Sequence, residues 1–400
     1  MCTKTMTRLL FAAALLASAV TAEADVFNLG GTQNADGTWN GLASLQFVTV
    51  GNPSNMADTV IEPDGTTGYG SVPYVYQMGK YDVTVGQYCQ FLNAVATTGD
   101  PYGLYNTGMA TDMPTFGIGQ SGSLGNYSYS VTGSYSQGVN CPIFDVTWGD
   151  AARFCNWLQN GQGTATTVAG AYALTETGAY TLNGDTTVLL ETRNAGATYF
   201  IPTENEWYKA AYYDPTLNGG AGGYWIYPTK SNTTPSNVLS PTGTNNANNY
   251  NVTYTDSMNY LTPVGSFILS PGPYGTYDMG GDILQWNEAD IPGGIYFSGS
   301  TRGMRGGAFS INPIGMASLN RYYWPPTDVN ASFGFRVASV PEPSTLALLA
   351  AGAIGLAGYG LRWRRATRTA KPVAFDQQDA PAILSFPSCS CSAHAARRAA

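Results

Sequence analysis

The chain has 400 residues, of which 44% are hydrophobic and 11% are charged, and its formal net charge at pH 7 is −8. Residues 25–340 hold nine Lys or Arg against 22 Asp or Glu, a net charge of −13. An acidic domain repels phosphate backbones, which argues against nucleic acid as a partner. Charged helix formers are sparse while Gly, Asn, Thr, Ser and Tyr are abundant, so we expect short elements and many loops.

The first 24 residues have the pattern of a secretory signal peptide. Lys4 and Arg8 precede an apolar run over residues 9–20, and Ala22 and Ala24 fit a small-residue cleavage site. A membrane anchor is the alternative, but the apolar run is too short to span a bilayer. We therefore exclude residues 1–24 from the fold and expect the protein to be exported.

The folded part begins with strands and turns over residues 25–75, followed by a helix. Thr84 is a candidate N-cap, and Gln87 lies three residues later, the spacing of a capping box. Tyr88, Phe91 and Val95 then recur at helical spacing. The pattern predicts a helix that starts just after Thr84.

Two insertions flank a second predicted helix. Residues 97–139 are rich in Gly, Ser and Tyr and predict a long surface loop or hairpin. The helix starts near Thr147, with Asp150 at capping-box spacing. In the second insertion, residues 160–198, the runs 171–174 and 179–182 are interpreted as hairpin strands.

A third helix is predicted over residues 203–211. Thr203 is its candidate N-cap and Glu206 completes the box, while Trp207 faces the core. Glu204 and Glu206 are two residues apart and do not face each other, so we interpret them as dipole and capping partners rather than a glycosidase pair. After this helix we expect strand and loop up to Arg336.

Six motifs in chain order resemble those of the formylglycine-generating enzyme, or sulfatase-modifying factor, superfamily. They cover residues 81–92, 142–158, 200–211, 263–286, 305–309 and 334–336. One departure is Phe200, which stands where the family has Arg. The resemblance implies an α+β, irregular, loop-rich fold of the C-type-lectin-like kind, with few short helices and small antiparallel sheets. Trp148, Trp157, Trp207 and Trp286 are interpreted as structural, since each is a large apolar side chain with one N–H to satisfy; sugar stacking is the alternative.

The chemistry of the family is missing from the matching positions. Formylglycine formation in the family needs two cysteines that bind Cu(I), a soft ion that prefers thiolates. Those positions are Ile311 and Met316 here. A related branch uses histidine-bound iron, but the only histidine is His394, outside residues 25–340. We therefore expect neither copper nor iron, and a protein that is not an enzyme is the favoured interpretation.

Three cysteines lie in the predicted domain. Cys89 and Cys155 fall on the first two predicted helices in apolar settings, and Cys141 precedes the second helix. An odd number outside the cytoplasm permits one disulfide and one spare thiol. Structural cysteines are favoured over a nucleophile, with a Cys89–Cys155 disulfide as one form of that hypothesis.

Calcium is the family property that the chain is expected to retain, as a structural ion. The resemblance maps a first site onto Asn248, Asn249, Asp256 and Met258, the last through its backbone carbonyl. It maps a second site onto Asp278, Gly281, Ile283 and Gln285. Closely spaced hard oxygen ligands suit Ca²⁺. The alternative at the second site is that Asp278 and Asp282 only cap a turn.

The C-terminal part resembles a PEP-CTERM sorting signal. Pro341-Glu342-Pro343 is followed by an apolar run over residues 346–361 and by Arg362-Trp363-Arg364-Arg365. The resemblance implies recognition by an exosortase and release or attachment at the cell surface; an ordinary single-pass anchor is the alternative. The expected division is a signal peptide (1–24), the folded domain (25–340), the sorting motif with its membrane segment (341–365) and an unstructured tail (366–400).

The leading functional hypothesis is an exported cell-surface or extracellular-matrix protein whose domain is a binding or structural module. Its expected partners are the sorting machinery and an extracellular polysaccharide or protein, with membrane contact only through the C-terminal segment. The alternative is an atypical oxidoreductase or protein-modifying enzyme of the same superfamily. Arg305, Arg321 and Arg336 are rare cations in an acidic domain. Buried pairing with Asp or Glu is the simplest explanation, and a role in a ligand groove is the alternative.

Overall fold

The structure is a computed structural model that describes residues 27–188, 190–292 and 299–340. Its α-helices are α1 (Val85–Val95), α2 (Trp148–Gln159), α3 (Val168–Thr175), α4 (Glu204–Tyr212) and the single turn α5 (Leu217–Gly220). Three short 3₁₀ helices are η1 (Thr107–Ala110), η2 (Gly138–Asn140) and η3 (Pro313–Met316). Short helices separated by long connections are what the glycine-rich, charge-poor composition predicts.

The strands are equally short and form several small sheets. They are β1 (Thr32–Gln33), β2 (Trp39–Asn40), β3 (Phe47–Val50), β4 (Tyr76–Gly79), β5 (Phe116–Ser123), β6 (Asn126–Gly133), β7 (Tyr199–Phe200), β8 (Tyr213–Asp214), β9 (Gly223–Tyr224), β10 (Leu284–Pro292), β11 (Ser300–Arg305), β12 (Tyr322–Trp324), β13 (Phe333–Gly334) and β14 (Ala338–Ser339).

Two four-stranded sheets have the orders β3-β4-β14-β7 and β12-β11-β10-β13. Three two-stranded ribbons, β1-β2, β5-β6 and β8-β9, complete the described sheets. Pairing is antiparallel except between β10 and β13. The predicted irregular α+β class is confirmed, and β5-β6 is the hairpin expected in the insertion 97–139.

Three helices start with the capping boxes that the sequence predicts. The Thr84 hydroxyl accepts from the Gln87 N–H at 3.2 Å, and the Gln87 side chain accepts from the Thr84 N–H at 2.9 Å. Thr147 with Asp150 and Thr203 with Glu206 repeat this exchange. Each box satisfies two backbone donors that a helix start otherwise leaves without a partner. The three predicted N-caps and their box partners are therefore confirmed.

The main core lies between α1, α2, α4 and the sheets. The rings of Tyr88, Phe91 and Phe154 pack together where α1 meets α2, with centroids 5.3–6.2 Å apart. The four tryptophans of the motifs are buried, and each indole N–H has an acceptor. The acceptors are the Asn287 carbonyl for Trp148, Gly163 for Trp157, the Gln285 side chain for Trp207 and Val146 for Trp286.

The hairpin expected over residues 171–182 is wrong. Residues 168–175 form α3, whose N-cap Thr167 accepts from the Gly170 N–H at 3.0 Å. Alanine, the best helix former, supplies three of its eight residues. Glu176, just after the helix, forms a buried ion pair with Arg153 of α2 at 2.7 Å. Residues 179–182 are irregular chain and not a strand.

The Cys89–Cys155 disulfide is also wrong: Cys89, Cys141 and Cys155 are all free and buried. The two helices do approach each other, but aromatic rings fill their contact. The Asn93 amide of α1 lies 3.8 Å from the Cys89 sulfur, whereas the charge of Glu288 acts on Cys155. Since the two thiols face different neighbours, no bond forms between them.

The predicted signal peptide, sorting motif, membrane segment and tail lie outside the described residues. Among the helices of the described ranges, none has both the length and the apolar character that a membrane span requires. The transmembrane segment at residues 346–361 lies outside the described residues and stays a prediction. The likeness to C-type lectins also stays a prediction.

Candidate functional site

The segment after β11 packs directly against the run 275–286. Gly306 and Gly307 have φ values of +103° and +70°, which side chains rarely adopt. The Gly306 carbonyl accepts from the Gly281 N–H at 2.8 Å, and the Phe309 N–H donates to the Asp282 carbonyl at 2.9 Å. The two glycines thereby turn the chain so that the segment with Ile311 and Met316, where the family has its cysteines, lies against residues 275–286.

Apolar side chains fill the two positions where the family places thiolates. Met316 is 1% exposed and packs with Tyr227, Ala247 and Ala317. Its thioether lies so close to the backbone that a Cβ on Gly280 would stand 3.3 Å from the sulfur. Ile311 packs against the main core. One buried thioether beside an isoleucine offers no pair of soft ligands for copper.

A cluster of aromatic rings, missed by the sequence analysis, borders this segment. We define the tyrosine patch as Tyr250, Tyr254, Tyr260 and Phe309, whose successive ring centroids lie 4.8–5.5 Å apart. The Tyr250 N–H donates to the Ile311 carbonyl at 3.0 Å, which joins the patch to the segment that holds the family's two thiolate positions. Tyr250 is 39% exposed. The three tyrosines within residues 250–260 are the feature of the sequence that could have indicated this cluster.

Buried carboxyls lie beneath the same segment. Asp282 accepts from the Asn248 amide at 2.8 Å and from the Thr262 hydroxyl at 2.8 Å. Burial, followed by the charge of Asp278, raises the pKa of Asp282, and burial raises that of Asp278. The nearby cation is Arg336, which lies 3.4 Å from Asp82. Both Asp278 and Asp282 have positive φ, as expected for residues that turn the chain.

With this geometry in place, comparison with known proteins assigns the domain. A family model described as "Sulfatase-modifying factor enzyme 1-like domain" matches residues 58–340. The chain belongs to the sulfatase-modifying factor family. A second family model, the PEP-CTERM protein-sorting motif, matches residues 339–365. Among curated proteins, no relative matches the chain.

Several solved structures are similar to this sulfatase-modifying factor domain. CarF has a TM-score of 0.45 and 18% identity, covering 74% of this chain and 99% of CarF. PvdO from Pseudomonas aeruginosa has a TM-score of 0.43 and 19% identity, covering 80% of this chain and 100% of PvdO. Treponema denticola variable protein 1 has a TM-score of 0.37 and 16% identity, covering 75% of this chain and 96% of that protein.

The two family matches together define an exported protein that carries a sulfatase-modifying factor domain. The PEP-CTERM motif implies recognition by exosortase-type sorting machinery and indicates association with the cell surface or membrane. Both families are those that the motifs in the sequence resemble.

The predicted first calcium site of the domain contains orphaned buried oxygens. Asn248 and Asn249 are at most 1% exposed, and the side-chain oxygen of each has no hydrogen-bond partner. Asp256 caps the following turn, accepting from the Met258 and Asn259 N–H groups, each at 2.9 Å. Amide oxygens without donors are suitable ligands for Ca²⁺. The two amide oxygens are therefore compatible with the ion, whereas both oxygens of Asp256 already accept hydrogen bonds, the second from the Asn259 amide at 2.6 Å.

The predicted second calcium site of the domain fits less well, because Gln285 is already engaged. Its amide nitrogen donates to the Asp278 carbonyl at 2.7 Å. Its oxygen accepts from Trp207 at 2.7 Å and from Arg336 at 3.1 Å. The Asp278 carboxylate accepts from the Gly265 N–H at 2.6 Å, while Gly281 lies against the Asn248 carbonyl. The neighbouring arginine supplies positive charge to this group, so the residues here do not suit a cation as ligands.

The rare arginines of the domain have the structural role that the sequence predicts. Arg305 is fully buried and pairs with Glu62 at 2.5 Å and with Glu204 at 2.7 Å. Arg321 pairs with Glu204 and Asp64. Glu206 instead pairs with Arg193, at 2.9 Å. Glu204 and Glu206 therefore belong to separate ionic networks and are not a paired acid and base.

Proposed function

We propose that the sulfatase-modifying factor domain of this protein is a binding or structural module at the cell surface or in an extracellular matrix, and not a copper oxidase. The observation that carries the proposal is the apolar filling of the two thiolate positions. Ile311 and buried Met316 stand there, and neither side chain can form a thiolate.

The remaining thiols support the same proposal. Burial raises the pKa of Cys89 to about 11 and raises the pKa values of Cys141 and Cys155 well above the usual range. The thiolate is the form that attacks substrates and binds metals. These three side chains are therefore held as inert thiols, each in its own part of the core.

We propose the tyrosine patch as the surface that meets a ligand, an extracellular polysaccharide in the first instance. Tyrosine offers an apolar ring and a hydroxyl on one side chain, which suits a surface that must bind while remaining wet. In the same segment of the chain as the patch tyrosines, Val252 is 85% exposed and Met258 is 69% exposed. Exposed apolar side chains in this segment support an interaction surface over a purely structural one.

Calcium at the first predicted site is part of the proposal. The orphaned oxygens of Asn248 and Asn249 support it, with Asp256 and the Met258 carbonyl as the remaining ligands. When bound, the ion would stabilise the loop that carries the tyrosine patch. The second site, Asp278, Gly281, Ile283 and Gln285, is not proposed because its amide is already engaged.

We propose that sorting places the protein outside the cell and anchors it in the membrane only transiently. The family match to the PEP-CTERM motif at residues 339–365 supports this order of events, since such motifs are recognised by exosortases. Detection of a shortened, released chain in the culture medium, lost when Pro341 and Pro343 are replaced, would test it.

Two measurements on the purified full chain test the proposed function. The first loads the protein with Cu(I) and follows formylglycine formation in a cysteine-containing sulfatase peptide. We expect no stoichiometric copper and no product; tight copper or iron with turnover would support the alternative, an atypical oxidoreductase or protein-modifying enzyme.

The second measurement is retention of extracellular polysaccharide by the wild-type protein and by Tyr250→Ala. We expect retention to fall several-fold in this variant. Tyr172→Ala is the matched control, because Tyr172 is similarly exposed, at 38%, but lies on α3. Equal retention by all three proteins would remove the ligand role from the tyrosine patch.

A further inference from the structure

A second group of buried oxygens lies in front of α2, away from the residues that the family uses for calcium. Asp145 is 2% exposed, and its Oδ2 has no hydrogen-bond partner. Its backbone has φ +55°, an uncommon conformation for a residue with a side chain. A buried carboxylate oxygen without a donor is costly unless a proton or a cation compensates it.

The side chain of Asn106 is aimed at the same place. Gly108 lies between the two residues: a Cβ on this glycine would stand 2.8 Å from Asp145 Oδ2 and 3.1 Å from Asn106 Oδ1. Asn106 Oδ1 accepts the Gly108 N–H at 2.8 Å, and a carbonyl oxygen has a second lone pair. The absence of a side chain at residue 108 lets both oxygens approach one point.

Asp112 closes this group from the solvent side. Its side chain is exposed, and its carboxylate neighbours that of Asp145. Burial, followed by the charge of Asp112, raises the pKa of Asp145 to about 7. Within the described part of the chain, no lysine or arginine forms an ion pair with Asp145. Two carboxylates in contact thus lack a positive partner from the protein.

We propose that Asp112, Asp145 and Asn106 form a binding site for a divalent cation, Ca²⁺. Two carboxylates and one amide oxygen are hard ligands of the kind that Ca²⁺ prefers, and the exposed Asp112 provides entry from solvent. The site is separate from residues 248–285, so it stands or falls independently of the calcium proposed there.

The position of the site suggests what the ion does. Asn106 and Asp112 flank η1, which belongs to the insertion 97–139, whereas Asp145 belongs to the loop that leads into α2. The strand β5 of the inserted hairpin packs closely against η1: a Cβ on Gly117 of β5 would stand only 2.3 Å from the Met109 carbonyl of η1. A cation here would fasten the base of the inserted hairpin to the framework.

The test measures calcium binding to the full chain at pH 7.5 by titration calorimetry, with calcium chloride as the only ligand. Asp112→Asn is the main variant, because substitution of an exposed residue changes stability little; Asp145→Asn is the second. We expect each to lose one bound ion per chain or to bind it at least about tenfold more weakly. Asp36→Asn, another exposed aspartate, is the matched control and should bind as the wild type does.

Hydrogen exchange over residues 105–113 gives an independent readout. Calcium should slow exchange there in the wild type and in Asn249→Ala, a variant of the other proposed site, but not in Asp112→Asn. Unchanged ion number and affinity in Asp112→Asn would overturn the proposal. So would exchange over residues 105–113 that ignores calcium in the wild type, because a proton shared by Asp112 and Asp145 would then account for the pair.

Discussion

The framework around α1, α2 and α4 differs from the loops that carry Asn248, Asn249 and Asp145 in how buried polar atoms are satisfied. In the framework, each motif tryptophan donates its indole N–H to a protein acceptor, and each helix start is closed by its own capping box. In the loops, the buried oxygens Asn248 Oδ1, Asn249 Oδ1 and Asp145 Oδ2 have no donor. Asp82 and Glu62 also have one unpaired oxygen each, but these carboxylates are paired with Arg336 and Arg305.

This difference separates two kinds of stability. The framework is stabilised by its own side chains, so it should keep its fold across ionic conditions. The loops contain oxygens that are suitable for cations, so their order should depend on what is dissolved around them. A substitution in one region should therefore leave the stability of the other region unchanged.

The largest effect is expected at Arg305 in the framework. Arg305→Met would leave Glu62 and Glu204 buried without this cation, whereas the wild-type guanidinium contacts both and also donates to the Ser318 carbonyl at 3.0 Å. Removing one partner of a buried ion pair costs about 3–5 kcal/mol. Urea denaturation measures this loss in the free energy of unfolding, which should be the same with and without calcium.

Lys230→Met is the control for Arg305, because Lys230 is an exposed cation. Surface substitutions of this type change stability by about 0.5 kcal/mol or less. A loss below about 1 kcal/mol in Arg305→Met would contradict the structural role of the buried arginine.

The framework was predictable because its signals are local. The pairs Thr84 with Gln87 and Thr203 with Glu206 are three residues apart, and the motif tryptophans have a large apolar area in any environment. The structure of α3 was not predictable in this way. Its eight residues fit a strand or a helix, and the Arg153–Glu176 ion pair that holds its end joins residues 23 positions apart.

The candidate site also has features that the sequence predicts and features that depend on tertiary contacts. The apolar residues at positions 311 and 316 can be identified from the sequence alone, since their positions are counted from the motif at residues 305–309. The contact between Asp112 and Asp145 is not, because the two residues belong to different segments that only the fold brings together. The engagement of Gln285 by Trp207 and Arg336 depends on tertiary contacts as well.

The next largest effect concerns calcium at the loop. With Ca²⁺ about 100-fold above its dissociation constant, a single site adds about 2.7 kcal/mol to the free energy of unfolding. We expect Asn249→Ala to lack this increment, so EDTA should lower its free energy of unfolding by about 2.7 kcal/mol less than it lowers that of the wild type. Thermal unfolding with and without EDTA measures it.

Asn156→Ala is the matched control for Asn249→Ala. Asn156 is fully buried too, but its oxygen accepts the Tyr180 N–H at 2.7 Å. This variant should be less stable than the wild type and yet keep the full calcium increment. A wild-type melting curve that EDTA leaves unchanged would remove calcium from both proposed sites.

A pH effect is expected from Asp150 in the framework. Burial raises its pKa from 3.8 to about 7, against the hydrogen bonds from Thr147 that lower it. The folded state then binds the proton more tightly than the unfolded state. This stability is fully present below about pH 4 and is lost as the pH rises through about 7, by at most about 1.4 kcal/mol per pH unit.

Asp150→Asn should flatten this part of the stability profile, because the amide oxygen can still accept the Thr147 N–H but does not ionise. The informative quantity is the difference in unfolding free energy between wild type and variant from pH 4 to pH 7, followed by urea denaturation at each pH. Asp36→Asn should show no such flattening. A wild-type profile parallel to that of Asp150→Asn would mean that Asp150 titrates alike in both states.

The smallest effect separates a framework cap from an insertion cap. Thr84 is 1% exposed, so Thr84→Ala leaves the Gln87 N–H buried and without an acceptor, which costs up to about 2 kcal/mol. Thr167 caps α3 at an exposed position; in Thr167→Ala, water replaces the hydroxyl and the loss is about 0.5 kcal/mol. Serine at either position should restore most of the loss in urea denaturation. Equal losses at the two threonines would mean that the insertion supports the fold as strongly as the framework does.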